Sequence, residues 1–265
     1  MTVRTAPSVA DRIDDRRAQG RGMLVGYLPV GFPDLDGSIA AAVALAEKGA
    51  DAIELGVPYS DPVMDGPVIQ AATQASLERG FRLRDVFTAV GEIRAAADVP
   101  ILVMTYWNPV VQYGVERFAD ELAAAGGSGL ITPDITPDSA QDWIPVSERS
   151  GLDRVFLAAP TSSDTRLRTI VESTRGFVYA VSTMGITGER AAMDSAARAL
   201  VARLRSAGAE RVCVGIGVTT AEHVREVCSY ADGAIVGSAL VRALADGGPA
   251  RLAELTAQLA QGVES

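Results

Sequence analysis

The sequence contains few cysteines, few aromatic residues and one histidine. Two of its 265 residues are cysteines, and aromatic residues make up 5% of the chain. Two cysteines are too few for a disulfide framework, and Cys213 lies in an apolar run typical of a buried strand, so we expect Cys213 and Cys228 to be reduced. The one histidine, His223, falls on the surface of a predicted helix. A metal-dependent sugar-phosphate epimerase would need several imidazole or carboxylate ligands at one place, and the sequence argues against that class.

The sequence also has no long apolar run and no excess of positive charge. No uninterrupted apolar stretch reaches the roughly 18 residues of a membrane helix, and the N-terminal segment is charged where a signal peptide would be apolar. The 24 Lys and Arg residues are outnumbered by 33 Asp and Glu, which gives a formal net charge of -9. That sign opposes general binding to nucleic acid or anionic membranes. We therefore expect a cytoplasmic protein with neither partner, in which any anion site is local.

The apolar residues follow a repeated order that predicts a barrel. Eight short runs rich in Val, Ile and Leu alternate with Ala-rich amphipathic segments, as parallel strands alternate with helices. The runs cover residues 24–30, 51–55, 100–105, 129–132, 154–158, 177–181, 211–215 and 233–236, and helices are predicted, for example, over 38–47, 115–125 and 192–207. We predict one (β/α)8-barrel domain over residues 1–265, with a helical N-terminal extension over 1–20 and a further helix over 250–260.

An open doubly wound sheet is the alternative fold. Such a sheet usually carries a glycine-rich nucleotide loop after its first strand, whereas this chain continues with Leu28-Pro29-Val30-Gly31-Phe32-Pro33. In a barrel the active site lies at the carboxyl ends of the strands, so candidate residues are sought there.

Two carboxylates near the end of the second predicted strand are candidates for acid/base chemistry. Glu54 stands between aliphatic residues, where burial raises the pKa of a carboxyl unless a cation pairs with it. Asp65 follows on a loop stiffened by prolines at 58, 62 and 67. The alternatives are an ion pair between Glu54 and an arginine across the barrel, and a turn or helix-capping role for Asp65. Because one lies in an apolar strand and the other on a polar loop, the two could divide acid and base roles.

Glycines at three strand ends predict a phosphate site. Gly217 follows the seventh strand, and Gly237 and Ser238 follow the eighth and open a helix. In barrels these two loops, with a helix N-terminus, commonly bind phosphate through backbone N–H groups. A third glycine-containing segment, Met184-Gly185-Ile186-Thr187-Gly188, follows the sixth strand and could be a mobile lid or a further phosphate contact. Plain turns are the alternative for each glycine.

Aromatic side chains lie at or near four predicted strand ends. They are Tyr27, Tyr106, Trp107 and Tyr179. Packing in the core is one explanation for each, and an aromatic substrate is the other.

With these residues the chain resembles the family of tryptophan synthase alpha subunits. The family pattern around its catalytic glutamate is close to Glu54-Leu55-Gly56-Val57-Pro58-Tyr59-Ser60-Asp61-Pro62, followed by Asp65-Gly66-Pro67. The similarity continues, in the family's order, through Met104-Thr105-Tyr106-Trp107-Asn108-Pro109, Gly185-Ile186-Thr187-Gly188, Gly215-Ile216-Gly217 and Gly237-Ser238. Two places depart from it: Thr183 and Met184 stand where many relatives carry Arg and Ser, and Ile216 stands where some carry Phe.

The resemblance implies a carbon-carbon lyase of the barrel fold. The expected reaction is retro-aldol cleavage of indole-3-glycerol phosphate to indole and glyceraldehyde 3-phosphate, without a metal or cofactor on this chain. Glu54 matches the family's acid/base, and Asp65 matches the carboxylate that accepts the indole N–H. The other matches are substrate contacts at Tyr27, Tyr106, Tyr179, Thr187 and Ile216, and phosphate contacts at Gly188, Gly217, Gly237 and Ser238.

The resemblance also implies a partner, a beta subunit that carries pyridoxal phosphate in an assembly of two alpha and two beta subunits. Asp61, on the proline-stiffened loop, is the predicted coupling residue. Two competing hypotheses remain: another phosphate-binding barrel, such as a phosphosugar isomerase or indole-3-glycerol phosphate synthase, and an inactive regulatory subunit.

Overall fold

Eight parallel strands form a closed barrel in the computed structural model, which describes residues 6–181, 190–215 and 217–264. Each strand pairs with the next in the sequence, and β8 pairs with β1. The strands are β1 (Met23–Pro29), β2 (Ala52–Gly56), β3 (Ile101–Met104), β4 (Gly129–Thr132), β5 (Asp153–Ala158), β6 (Val178–Val181), β7 (Val212–Gly215) and β8 (Gly233–Val236). The predicted fold class is confirmed.

Helices surround the barrel and precede it. They are α1 (Val9–Ala18), α2 (Leu35–Glu47), α3 (Pro67–Glu78), α4 (Arg84–Ala96), α5 (Trp107–Tyr113), α6 (Val115–Ala124), α7 (Trp143–Ser150), α8 (Asp164–Ser173), α9 (Arg190–Ser206), α10 (Ala221–Cys228) and α11 (Ser238–Ala260). The backbone of α11 breaks at Gly248, where φ is 65°, so the predicted helix over 250–260 is its second half. Within the described ranges, no helix combines the length and the apolarity needed to cross a membrane.

Helix α1 closes the amino-terminal end of the barrel. Its buried side chains Val9 and Ile13 belong to the same apolar cluster as Met23 of β1 and Phe177, the residue before β6. Asp51 fixes the helix to the barrel, because its carboxylate accepts hydrogen bonds from Arg16 Nε at 2.5 Å and from the Leu24 amide at 3.0 Å. The barrel is therefore filled at this end, and the opposite, carboxyl end is left for chemistry.

Strand register decides which residues face the interior together. Tyr27 of β1 lies beside Glu54 of β2, and Glu54 lies beside Leu102 of β3. Because side chains alternate along a strand, Glu54 points inward while its neighbours Ile53 and Leu55 pack against the surrounding helices. A carboxyl is thus built into the barrel lining.

Candidate active site

Glu54 is a buried carboxyl with no cationic partner among the residues that the structure describes. Its relative exposure is 1%, and no described group donates a hydrogen bond to its Oε2 atom. Among the described residues no arginine forms an ion pair with Glu54. The alternative of an ion pair across the barrel is therefore not found in this part of the chain. A buried polar atom left unpaired costs free energy, and such atoms concentrate where function requires them.

Burial raises the pKa of Glu54 to about 8, from an ordinary value of 4.5. Removal from water is the larger cause, and the negative charge of Asp65 is the second. At pH 7 the side chain is therefore mostly protonated. A carboxyl with a pKa near neutral pH can both give and take a proton during a reaction.

Asp65 lies on the loop between β2 and α3, close enough to Glu54 for its charge to raise the pKa of that carboxyl. Partial burial raises the pKa of its carboxyl as well. Two hydrogen bonds hold this part of the loop: the Met64 amide donates to the Tyr106 hydroxyl at 2.8 Å, and the Gln70 side chain donates to the Asp65 carbonyl at 2.8 Å. Helix α3 is capped by Gly66 without a side-chain hydrogen bond, so the alternative role of Asp65 as its N-cap is excluded.

Two buried tyrosines occupy equivalent places around the barrel. The Tyr27 hydroxyl lies against Gly56 of the next strand, and the Tyr179 hydroxyl lies against Gly215 of the strand after its own. A Cβ atom on these glycines would come within 2.2 Å and 2.1 Å of the respective hydroxyls. Burial raises the pKa of both phenols well above the ordinary value, so both stay protonated and can donate hydrogen bonds.

The three tyrosines and the two carboxyls form one electrostatic cluster. The negative charges of Asp65 and Glu54 add to the burial that raises the pKa of Tyr27, and Glu54 acts likewise on Tyr179. Burial raises the pKa of Tyr106 to about 12. The side chains come from β1, β2 and β6 and from the loops after β2 and β3. The sequence-predicted residues of these elements are thus brought together at the carboxyl ends of the strands.

Three of the four predicted phosphate residues, Gly217, Gly237 and Ser238, follow the two neighbouring strands β7 and β8. Gly215 and Ile235 are register partners, so Gly217 and Gly237 each follow that pair by two residues. Gly217 is exposed with a φ of 77°, a conformation that favours glycine. Ser238 is the exposed first residue of α11, where the N-terminal end of the helix dipole favours an anion.

The candidate phosphate site adjoins the tyrosine cluster. A Cβ atom on Gly237 would lie 3.4 Å from Cδ1 of Tyr27, so the loop after β8 passes within one side-chain atom of the ring that neighbours Glu54. Three predicted contacts, Thr187, Gly188 and Ile216, lie outside the described residues, as do Thr183 and Met184.

Asp61 lies on the outer part of the loop after β2. It is exposed, and the Ser60 hydroxyl donates a hydrogen bond to its carboxylate. Nearby Val63 is 76% exposed, an unusual position for a large apolar side chain. The loop thus has an inner part that carries Asp65 and an outer part that faces away from the barrel. The coupling role of Asp61 stays a prediction.

Sequence analysis missed the residues that support the site. Gly56 received no role of its own, although it makes room for the Tyr27 hydroxyl. Asp134, after β4, was not singled out, yet its carboxylate accepts hydrogen bonds of 3.0 Å from the Trp107 amide at the start of α5. Gly56 and Gly215 each lie two residues after the register partner of a buried tyrosine. This pattern indicates room for the tyrosine hydroxyl only when the strand pairing is known. His223 lies in α10, away from the cluster, as predicted.

Comparison with known proteins gives one consistent result. The family model for "Tryptophan synthase alpha chain" matches residues 13–264. The protein of that name from Leifsonia xyli subsp. xyli is 65% identical over 254 residues, which cover 96% of this chain and 97% of the relative. The one from Mycobacterium marinum is 54% identical and covers 99% of this chain and 98% of its own.

Solved structures agree with the sequence comparison. A structure of tryptophan synthase from Mycobacterium tuberculosis superposes with a TM-score of 0.93 at 52% identity, covering 98% of this chain and 99% of that chain. A chain of the tryptophan synthase complex from Pyrococcus furiosus superposes with a TM-score of 0.82 at 36% identity, covering 92% of this chain and 99% of its own.

Proposed function

This chain belongs to the tryptophan synthase alpha chain family, and we propose that it cleaves indole-3-glycerol phosphate to indole and glyceraldehyde 3-phosphate. One observation carries the proposal: Glu54 is buried, its Oε2 atom has no hydrogen-bond partner among the described residues, and burial together with the charge of Asp65 raises its pKa to about 8. A retro-aldol cleavage needs a group that can give and then take a proton, and this carboxyl is suited to both.

Glu54 transfers the two protons of the reaction. In its protonated form it gives a proton to C3 of the indole ring, which turns the side chain into a leaving group. The resulting carboxylate then accepts the proton of the adjacent side-chain hydroxyl as the carbon-carbon bond breaks, and the carboxyl is restored. No arginine in the described part of the chain pairs with Glu54, which supports this role, because an arginine beside it would hold it ionised.

Asp65 acts as the ionised carboxylate of the pair. It accepts a hydrogen bond from the indole N–H and stabilises the positive charge that develops on the ring when C3 is protonated. Its carboxyl is less buried than that of Glu54, and its negative charge is one of the two causes that raise the pKa of Glu54, which supports Glu54 as the acid and Asp65 as the anion.

The substrate spans the distance from the carboxyl pair to the ends of β7 and β8. Tyr27, Tyr106 and Tyr179 surround the indole and the reacting carbons. The phosphate binds at Gly217, Gly237 and Ser238, with Gly188 as a further contact. The close approach of Gly237 to the Tyr27 ring supports one continuous site.

A beta subunit is the proposed partner, in an assembly of two alpha and two beta subunits. The relative from Pyrococcus furiosus is a tryptophan synthase complex. Pyridoxal phosphate belongs to the beta subunit, which condenses indole with serine, and this chain needs no cofactor for the cleavage. The exposed outer part of the loop around Asp61 and Val63 supports docking on this face.

A product assay tests the reaction. The purified chain is incubated with indole-3-glycerol phosphate, and indole and glyceraldehyde 3-phosphate are measured separately, with and without beta subunit. We expect equal amounts of the two products and a faster rate with the partner. An isomerase would release no indole, and indole-3-glycerol phosphate synthase would likewise leave indole absent. A regulatory subunit would give no cleavage of its own under either condition.

A further inference from the structure

A cavity lies at the end of the barrel opposite the candidate active site. Its volume is about 510 Å³. It is lined by residues that precede the starts of β1 and β8, by the end of α10 and by residues 262–264 after α11. These segments are fixed to one another, since Arg21 and Glu264 form an antiparallel β-bridge and the Gly22 amide donates to the Val263 carbonyl at 3.0 Å.

The wall of this cavity is basic, although the whole chain has a net charge of -9. Four arginines line it, against two acidic residues, Asp232 and Glu264. Asp232 accepts hydrogen bonds from Arg17 at 2.8 Å and from Arg205 at 2.5 Å, so these two arginines are already paired. The two that remain are Arg21 and Arg225.

Arg21 and Arg225 donate few hydrogen bonds to the described residues. The Nε atom of Arg21 is buried, and no group in the described part of the chain accepts its hydrogen. Arg225 makes one long hydrogen bond, 3.4 Å, to the Gln261 carbonyl. A buried guanidinium N–H without an acceptor costs free energy. The Nη donors of Arg21 also have no acceptor in the described part of the chain and, unlike Nε, are not enclosed, so an anion in the cavity would meet them.

We propose that this cavity, formed by Arg21, Arg225 and the residues around them, is a second binding site for a small oxyanion, a carboxylate or a phosphate. The guanidinium group presents donors in a planar fork that matches both kinds of oxyanion. The cavity is large enough for a small metabolite that carries such a group. Cys228, which also lines it, adds no competing negative charge, because burial raises the pKa of its thiol to about 12.

Such a ligand would bind the folded chain and stabilise it in proportion to its concentration. The site is separate from the candidate active site, because it lies beside the starts of the strands while Glu54 and the phosphate glycines lie toward their ends. The proposal is therefore independent of the lyase reaction.

The experiment uses amide chemical shifts of the ¹⁵N-labelled full chain during titration with inorganic phosphate, and with acetate in a second series. We expect saturable shifts at residues 20–22 and 262–264 in at least one series, and the series that saturates at lower concentration identifies the preferred group. Arg21→Gln should weaken this binding at least tenfold while leaving phosphate-dependent shifts near Gly237 unchanged. Arg12→Gln is the matched control, since Arg12 donates to the Asp98 carbonyl from the same N-terminal region and does not line the cavity.

Far-ultraviolet circular dichroism first tests whether Arg21→Gln is folded. If it is not folded, Arg225→Gln is used in its place. It should weaken binding in the same residues. Shifts at 20–22 and 262–264 that fail to saturate in both series, or that saturate equally in the wild type and the folded arginine variants, would overturn the proposal.

Discussion

The buried carboxyl of Glu54 should make the protein less stable at alkaline pH, and Glu54→Gln should remove that loss. In the unfolded chain the carboxyl has its ordinary pKa of 4.5, and in the folded chain the pKa is about 8. Between these values the folded state binds more protons than the unfolded state, so the free energy of unfolding falls as pH rises. The stability contributed by this group is complete below pH 4.5 and is lost as pH rises through 8.

The size of the effect follows from the pKa difference. One pKa unit corresponds to 1.36 kcal/mol, so the shift from 4.5 to about 8 is worth on the order of 5 kcal/mol once Glu54 is ionised. Water entering the site when the carboxyl ionises lowers this figure, which is therefore an upper bound. Glutamine is neutral at every pH and has nearly the shape of the protonated glutamate. The difference in unfolding free energy between the variant and the wild type should therefore widen by up to about 4 kcal/mol from pH 5 to pH 8.5.

Urea unfolding at a series of pH values measures this difference. A barrel of this size can unfold through intermediates. The first unfolding transition, at which the signal leaves the native baseline, is therefore compared between the variant and the wild type. Glu92→Gln, which removes an exposed carboxyl from α4, is the matched control, and the widening for Glu54→Gln is measured relative to it. A constant difference for Glu54→Gln would refute the assignment of Glu54 as a buried carboxyl that resists ionisation.

Three further changes test the rest of the site. The value of kcat/KM for cleavage should fall above pH about 8 as Glu54 loses its proton. In the impaired Asp65→Asn variant this fall should occur at lower pH, because a nearby negative charge is gone. An unchanged pH profile would show that the two carboxyls do not interact. Gly217→Val should weaken the binding of glycerol phosphate in calorimetry more than that of indole, because the φ of 77° disfavours a branched side chain; equal losses would count against the phosphate site. Asp61→Ala should leave phosphate binding intact and reduce activation by titrated beta subunit, and full activation would remove Asp61 from the coupling.

The barrel could be predicted from the sequence because its strands are short apolar runs separated by amphipathic helices. Most predicted runs coincide with the observed strands to within one or two residues. Helix α5 was not singled out, because its sequence from Trp107 to Tyr113 contains aromatic, β-branched and proline residues that favour helix weakly. It begins where the carboxylate of Asp134, 27 residues away, accepts the Trp107 amide hydrogen. Such a tertiary contact has no local signal in the sequence.

The chemistry of the site could be predicted in part. The apolar neighbours of Glu54 indicated its burial, and the proline-rich loop indicated a carboxylate held over the barrel. The positions of the Tyr27 and Tyr179 hydroxyls could not be predicted, because they depend on the strand register that places Gly56 and Gly215 beside them. Register between strands distant in sequence is fixed by the closed barrel as a whole.

Single-turnover cleavage of indole-3-glycerol phosphate by Glu54→Gln tests the central claim most directly. The chain is held in excess over substrate, with saturating beta subunit, and the formation of glyceraldehyde 3-phosphate is followed in the wild type and the variant. Substrate binding should be largely retained, because the amide keeps the shape of the carboxyl, while the rate of bond cleavage should fall by about 10²- to 10⁴-fold, as expected when a general acid/base is removed. A variant that cleaves at the wild-type rate would contradict the assignment of the proton transfers to Glu54.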